Sequence, residues 1–118
     1  MSAETEMRAL LVADAAVAAL VADRISADRI EQGSQRPFVV FTRTNTNREK
    51  TLDGTIVGVL VSMVVQCWAD TRQAADALAD AVQDVIEEQY HTVSSRESDY
   101  DGDLDLEAAM LSVEWWES

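Results

Sequence analysis

The densest set of oxygen ligands in the chain is the run Glu97-Ser98-Asp99-Tyr100-Asp101-Gly102-Asp103-Leu104-Asp105. Carboxylates at alternate positions around a glycine resemble the opening of an EF-hand loop, with Gly102 where the backbone must turn sharply. Asp99, Asp101, Asp103 and Asp105 are therefore the calcium candidates, and they are weak ones. The first position is Glu97 in place of Asp, and the twelfth is Ala108, where a bidentate Glu is required. Both flanks read as strands. An acidic hairpin turn explains the same residues more simply.

Other chemistry is sparse. His91, the single histidine, falls just past a helix, where a capping or surface role fits better than acid–base work. Cys67, the single cysteine, lies on the apolar side of a strand, the setting of an inert buried thiol. A lone cysteine also excludes an intrachain disulfide. There is no Gly-rich phosphate loop, no zinc-ligand spacing and no Gly-x-Ser-x-Gly elbow. No catalytic residue, resident metal or cofactor is expected, and an enzyme is the least favoured class.

The charge balance narrows the partners. Nine basic against 22 acidic residues leave a net charge of −13. Tight nucleic-acid binding needs clustered Lys and Arg, so DNA is not expected as a held ligand, although it can pass nearby. Arg24, Arg29, Arg36, Arg43, Arg48 and Lys50 make one region locally basic, and the segments that follow are acidic. Such asymmetry suits identical subunits packed head to tail. The acidic N-terminal stretch does not read as a signal peptide, and no run is long and apolar enough to cross a membrane; a cytoplasmic protein is expected.

The length of 118 residues predicts a single domain, 1–118, able to bury a core. A helix is expected from Ala3 to Ala22, with Leu10, Ala13, Val17, Leu20 and Val21 as its buried face. Arg24-Ile25 and Arg29-Ile30 read as a short edge strand, and Gln32-Gly33-Ser34 as a turn. A strand follows from Pro37 to Arg43, then a polar loop from Thr44 to Gly54, then an apolar strand from Ile56 to Trp68. About thirteen residues at ~3.3 Å each span roughly 43 Å, twice the usual strand. Such a hairpin projects past its own core. The odd positions from Val57 to Cys67 are all apolar and predict a covered face; the even positions are mixed and predict a face partly covered by another subunit. A second helix is expected from Thr71 to Gln89, N-capped by Asp70, with Ala74, Leu78, Val82, Val85 and Ile86 inward. Strands from Thr92 to Tyr100 and from Ala108 to Trp116 close the chain. Helix, hairpin, helix, hairpin predicts an α+β fold: an antiparallel or mixed sheet with two helices on one face.

The series Leu11-x-x-Asp14-x-x-Val17-x-x-Leu20-Val21-x-Asp23-Arg24-Ile25, then Gln32-Gly33, then Arg36-Pro37-Phe38-Val39-Val40-Phe41 resembles the opening of small phage tail-completion proteins, which are similar to the tail terminators of long-tailed phages. Val65-Gln66-Cys67-Trp68-Ala69 and the Ala-rich helix with Ala74, Ala75, Leu78, Ala79 and Val82 continue the match. It covers about residues 7–90, and the last strand fits loosely. Order and spacing carry the resemblance, since each motif alone is weak.

The resemblance implies a structural virion protein forming a hexameric ring on the head-proximal end of the tail tube. That ring stops tube polymerisation, offers a surface to the head connector, and lets DNA through its centre without specific binding. It also implies assembly in the host bacterial cytoplasm and a place at the tail–neck junction. The expected tube and subunit contacts are Arg43, Asn45, Asn47, Arg48, Lys50, Leu60, Val64, Trp68 and Trp116, the last because tryptophan is enriched at interface hot spots. Asp99, Asp101, Asp103 and Asp105 are expected to face the lumen. The alternatives are another head–tail joining protein, or a small dimeric ligand-binding α+β domain.

Overall fold

Alternating apolar residues need a sheet with one covered face, and the computed structural model provides it. It describes residues 3–22, 24–27, 37–50, 52, 56–89, 91–103 and 105–117. In chain order the elements are α1 (Ala3–Ala13), α2 (Ala15–Val21), β1 (Ile25–Ala27), β2 (Phe38–Lys50), β3 (Ile56–Ala69), α3 (Arg72–Glu88), β4 (Thr92–Asp101) and β5 (Leu106–Glu117). The five strands form one sheet in the order β1-β2-β3-β5-β4. β1 runs parallel to β2, and every other neighbouring pair is antiparallel. The fold is α+β with a mixed sheet.

The central strand decides the layering. Val61, Met63, Val65 and Cys67 of β3 are buried, and so are Ala109, Leu111, Val113 and Trp115 of β5 and Val39 and Phe41 of β2. They form one core with residues of all three helices. Burying a Val, Leu or Phe side chain contributes about 1.5–3 kcal/mol, so this layer dominates stability. In α3 the inward residues are Ala75, Leu78, Ala79, Val82, Val85 and Ile86, a stripe of helical period. Ala74, expected inward, is exposed, one position off that stripe.

Four sequence expectations are corrected. The N-terminal helix is broken. Asp14 leaves the helical conformation (φ −79°, ψ 127°), and its carboxylate accepts the Val17 N–H at 3.0 Å, capping a new helix. The break rephases the buried stripe to Ala3, Met7 and Leu11, then Val17 and Val21, leaving Leu10 half-buried and Ala13 and Leu20 exposed. Thr71, not Asp70, caps α3, accepting the Ala74 N–H at 3.1 Å.

The polar segment after Arg43 is not a loop either. β2 continues to Lys50, laddered to β3 up to the pair Lys50↔Ile56. Backbone ladders need no apolar side chains, and the long partner strand supplies the template. The sequence therefore understated the projection. β2 has 13 residues and β3 has 14, roughly 43 and 46 Å at ~3.3 Å per residue. The whole molecule measures 52 × 28 × 23 Å. Arg29-Ile30 and Gln32-Gly33-Ser34 lie outside the described residues.

A stack pins the end of β5 to the helices. The His91 ring lies 3.6 Å from the Trp115 ring, centroid to centroid, at 10°. The Trp115 indole donates to Glu6 of α1 at 3.1 Å, and His91 Nδ1 accepts the Trp116 N–H at 3.3 Å. An accepting Nδ1 belongs to a ring unprotonated at that atom. Burial lowers the His91 pKa from 6.5, opposed by the Glu6 charge.

Two predictions follow from these anchors. Thr71→Ala should lower stability by about 1 kcal/mol in urea unfolding, and Thr71→Ser should retain most of it. A His pKa lowered by folding means that the unfolded chain binds more protons just below pH 6.5. Stability attributable to His91 is thus complete above that pH and declines as the pH falls through it. Urea midpoints of wild type should drop more than those of His91→Gln between pH 7.5 and 5; parallel curves would rule this out.

Candidate functional site

The sheet has a second face, and no described helix covers it. It carries Phe38, Val40 and Thr42 of β2, Leu60, Ser62, Val64, Gln66 and Trp68 of β3, and Leu106, Ala108, Met110, Ser112, Glu114 and Trp116 of β5. At one end Phe38, Val40 and Leu106 are buried in a small cluster with Trp68 beside it. Toward the other end Leu60, Val64 and Met110 are only half-buried, and Trp116 is 49% exposed. Polar pairs interrupt the apolar area: the Ser62 hydroxyl donates to Glu114 at 3.3 Å, and the Trp68 indole donates to Gln66 at 3.0 Å.

Trp116 is held in place by a missing side chain. A Cβ on Gly58 would sit 3.0 Å from Trp116 Cζ3 and 3.1 Å from Cε3. The indole therefore lies flush over the Gly58 backbone, presenting its other surface to solvent. This is where the sequence reading put an exposed aromatic anchor.

A bulge sorts the other expected contacts. The β2–β3 register shifts between Arg43 and Asn45, so Thr44 is an inserted residue, and its hydroxyl donates to the Ser62 carbonyl at 3.1 Å. One extra residue exchanges the faces. Asn45 and Asn47, opposite Ser62 and Leu60, join the uncovered face; Arg43 and Arg48, opposite Met63 and Val59, lie on the helix side. The structure thus brings Asn45, Asn47, Leu60, Val64, Trp68 and Trp116 together and separates Arg43 and Arg48 from them. Lys50 pairs with Ile56 at the far end of the ribbon.

Arg43 is also spoken for. Its guanidinium donates to Glu4 of α1 through Nε at 3.0 Å and to the Thr46 hydroxyl at 3.0 Å. Arg24 binds the Pro37 carbonyl at 2.9 Å. The basic region read from composition is thus partly consumed by internal contacts.

The acidic hairpin is built as a turn. Asp101 accepts the Asp103 N–H at 3.0 Å, and the Tyr100 hydroxyl donates to Asp105 at 2.8 Å. Asp105 takes φ 53°, a strained backbone setting that Asp tolerates better than most residues. The nearby acids raise the Tyr100 pKa, chiefly through the Asp105 hydrogen bond. Among the described residues no three His, Cys, Asp or Glu side chains are grouped to hold a metal ion. Asp99, Asp101, Asp103 and Asp105 are not grouped as the calcium pattern required: Asp99 and Asp101 belong to β4, Asp103 and Asp105 to the turn after it, and the carboxylates of Asp101 and Asp105 are taken up by the turn's own hydrogen bonds.

The two reactive candidates are absorbed by packing. Burial pushes the Cys67 pKa up to about 12, so it stays a thiol rather than a nucleophilic thiolate. His91 is engaged in the Trp115 stack.

Two apolar residues give no signal in the sequence. Met110 falls on the side of β5 opposite the Leu111, Val113 and Trp115 alternation that marks its covered face. Leu52, exposed between β2 and β3, is a single apolar residue within a polar segment.

The comparisons with known proteins agree with this architecture. None of the curated proteins matches the sequence. Among solved structures, a chain from the virion of the native gene transfer agent particle has the same fold, with a TM-score of 0.70 at 18% identity, covering 98% of this chain and 93% of that one. A family model described as tail completion protein gp17 matches residues 5–118, including the last strand that the motifs fitted loosely. With the match spanning nearly every residue, the chain belongs to the tail completion protein gp17 family.

Proposed function

We propose that this structural tail protein forms a ring, of six subunits, that caps the head-proximal end of a phage or prophage tail tube. The ring stops tube polymerisation and presents the docking surface for the head connector. The single chain, 1–118, works as one domain, is assembled in the host bacterial cytoplasm, and resides at the tail–neck junction of the virion.

The observation that carries this reading is the family match over residues 5–118, joined to a sheet whose second face is left half-open around Leu60, Val64 and Trp116. A subunit that must stop polymerisation needs a surface for the tube and another for its own copies. The exposed Leu52 at the end of the β2–β3 ribbon fits the first, and the uncovered face around Leu60, Val64 and Trp116 fits the second. The charge suits DNA transit. With a net charge of −13 and several arginines engaged internally, a lumen lined by Asp99, Asp101, Asp103 and Asp105 repels a phosphate backbone and lets it slide. The scarcity of activated nucleophiles fits a structural part rather than an enzyme.

The test is electron microscopy and light scattering of the pure protein with and without tail tubes. Rings at one tube end, with a six-subunit mass, are expected. A strict dimer that ignores tubes would favour the small ligand-binding domain instead. Binding to connectors alone would indicate a different head–tail joining role. Leu52→Asp should leave the urea midpoint unchanged and weaken tube capping; unimpaired capping would remove the tip from the contact surface.

A further inference from the structure

Arginines are scarce in this chain, and nearly all of those described are in use. Arg8 binds the Ile25 carbonyl, Arg24 the Pro37 carbonyl, Arg43 the Glu4 carboxylate, Arg72 the Glu107 carboxylate, and Arg96 both Asp80 and Asp76. Arg48 is the exception among the described residues. It is exposed, on the helix-side face of β2, level with Val59 in the far part of the ribbon.

Glu97 is its counterpart. It is exposed in β4, opposite Met110 of β5, on the uncovered face. Met110 in turn lies opposite Gln66 of β3, beside Val64, so Glu97 borders the half-buried apolar stripe. Arg48 and Glu97 cannot meet within one molecule. The register sets them about seven residues apart along the strands and three strands apart across the sheet. That is roughly 27 Å at ~3.3 Å per residue and ~4.8 Å per strand, and they lie on opposite faces.

We propose that the uncovered face of the sheet receives the β2–β3 ribbon of a second copy, with Arg48 of one copy set against Glu97 of the next. This rests on the ring reading above and names the surfaces that would meet. Charge complementarity selects the occupant: an exposed cation on the ribbon, and an acidic border beside the apolar stripe, on the same chain. The geometry also bears on the symmetry. The donor is on the helix-side face at one end, and the acceptor is on the opposite face farther down the strands. Copies stacked face to back in this way leave one donor and one acceptor open, so the contact repeats head to tail and closes into a ring if the rotation allows.

Charge reversal tests it. Arg48→Glu and Glu97→Arg are both exposed changes and should leave urea midpoints unaltered. Each alone should raise the concentration needed for half-assembly about tenfold, the scale of a surface ion pair reversed into a repulsion. The double variant should assemble like wild type. An equimolar mixture of the two single variants should do so too, because every contact in an alternating ring then joins an acid to a base. Arg48→Gln and Glu97→Gln should weaken assembly in the same direction, by less. Wild-type rings that tolerate both reversals, or single variants that gain nothing on mixing, would overturn this contact and leave the ring reading standing. Wild-type protein that never assembles, alone or on tubes, would overturn both.

Discussion

β3 has hydrogen-bonded neighbours on both sides along nearly all its length, β2 from Lys50 to Phe38 and β5 from Leu106's neighbour Glu107 to Glu117. A strand so enclosed cannot slip by one residue without sending Val61, Met63, Val65 and Cys67 to the wrong face. That restriction settles the register of its neighbours, and the register settles where the helices sit. The helices then bury one face except along the ribbon, and the other face is buried only at the Phe38, Val40 and Leu106 end. The division between a finished face and an unfinished one is the central property of the molecule.

The bulge at Thr44 refines that division. Upstream of it, β2 sends Val39 and Phe41 into the core beneath the helices. Downstream, the parity reverses, and the helix side of the strand bears Thr46 and Arg48 instead of apolar residues. The same backbone thus serves as core strand and as projecting arm. The arm is tied to α1 at its root by Arg43 and Glu4, an ion pair that is partly buried and therefore less screened than a surface pair.

Much of this was legible from residue order. The alternation of β3, the stripe of α3 and the β4–β5 pair all follow from periods that a sequence displays. What escaped had physical causes. Asp14 sits within an Ala- and Leu-rich run whose helical signal hides the break, and only its bond to the Val17 N–H shows that the carboxylate starts a new helix. Asp70 and Thr71 are adjacent, and N-cap preference places Asp above Thr, so the sequence points to the wrong one of the two. Thr44 to Lys50 looked like a loop because side-chain polarity says little about a strand paired on one side with a long apolar neighbour. Nor could the division of Arg48 from Asn47 across two faces be read, since a bulge depends on the partner strand. The candidate surface was half visible: Trp116 and Leu60 follow from parity, whereas the Gly58 seat under the indole needs the β3–β5 register.

The direction of the strands bears on how the molecule carries force. β2 and β3 run nearly the full 52 Å of the long dimension, and their ladder bonds lie across that axis. A pull between the ribbon tip and the far end of the sheet is carried by the two covalently joined backbones, and where it passes from β3 to β5 it loads that ladder in shear, many bonds at once, instead of opening them one by one like a zipper. A subunit gripped at both ends resists tension along its length with its whole ladder, and it would yield far sooner to a sideways tug that peels β4 from the edge.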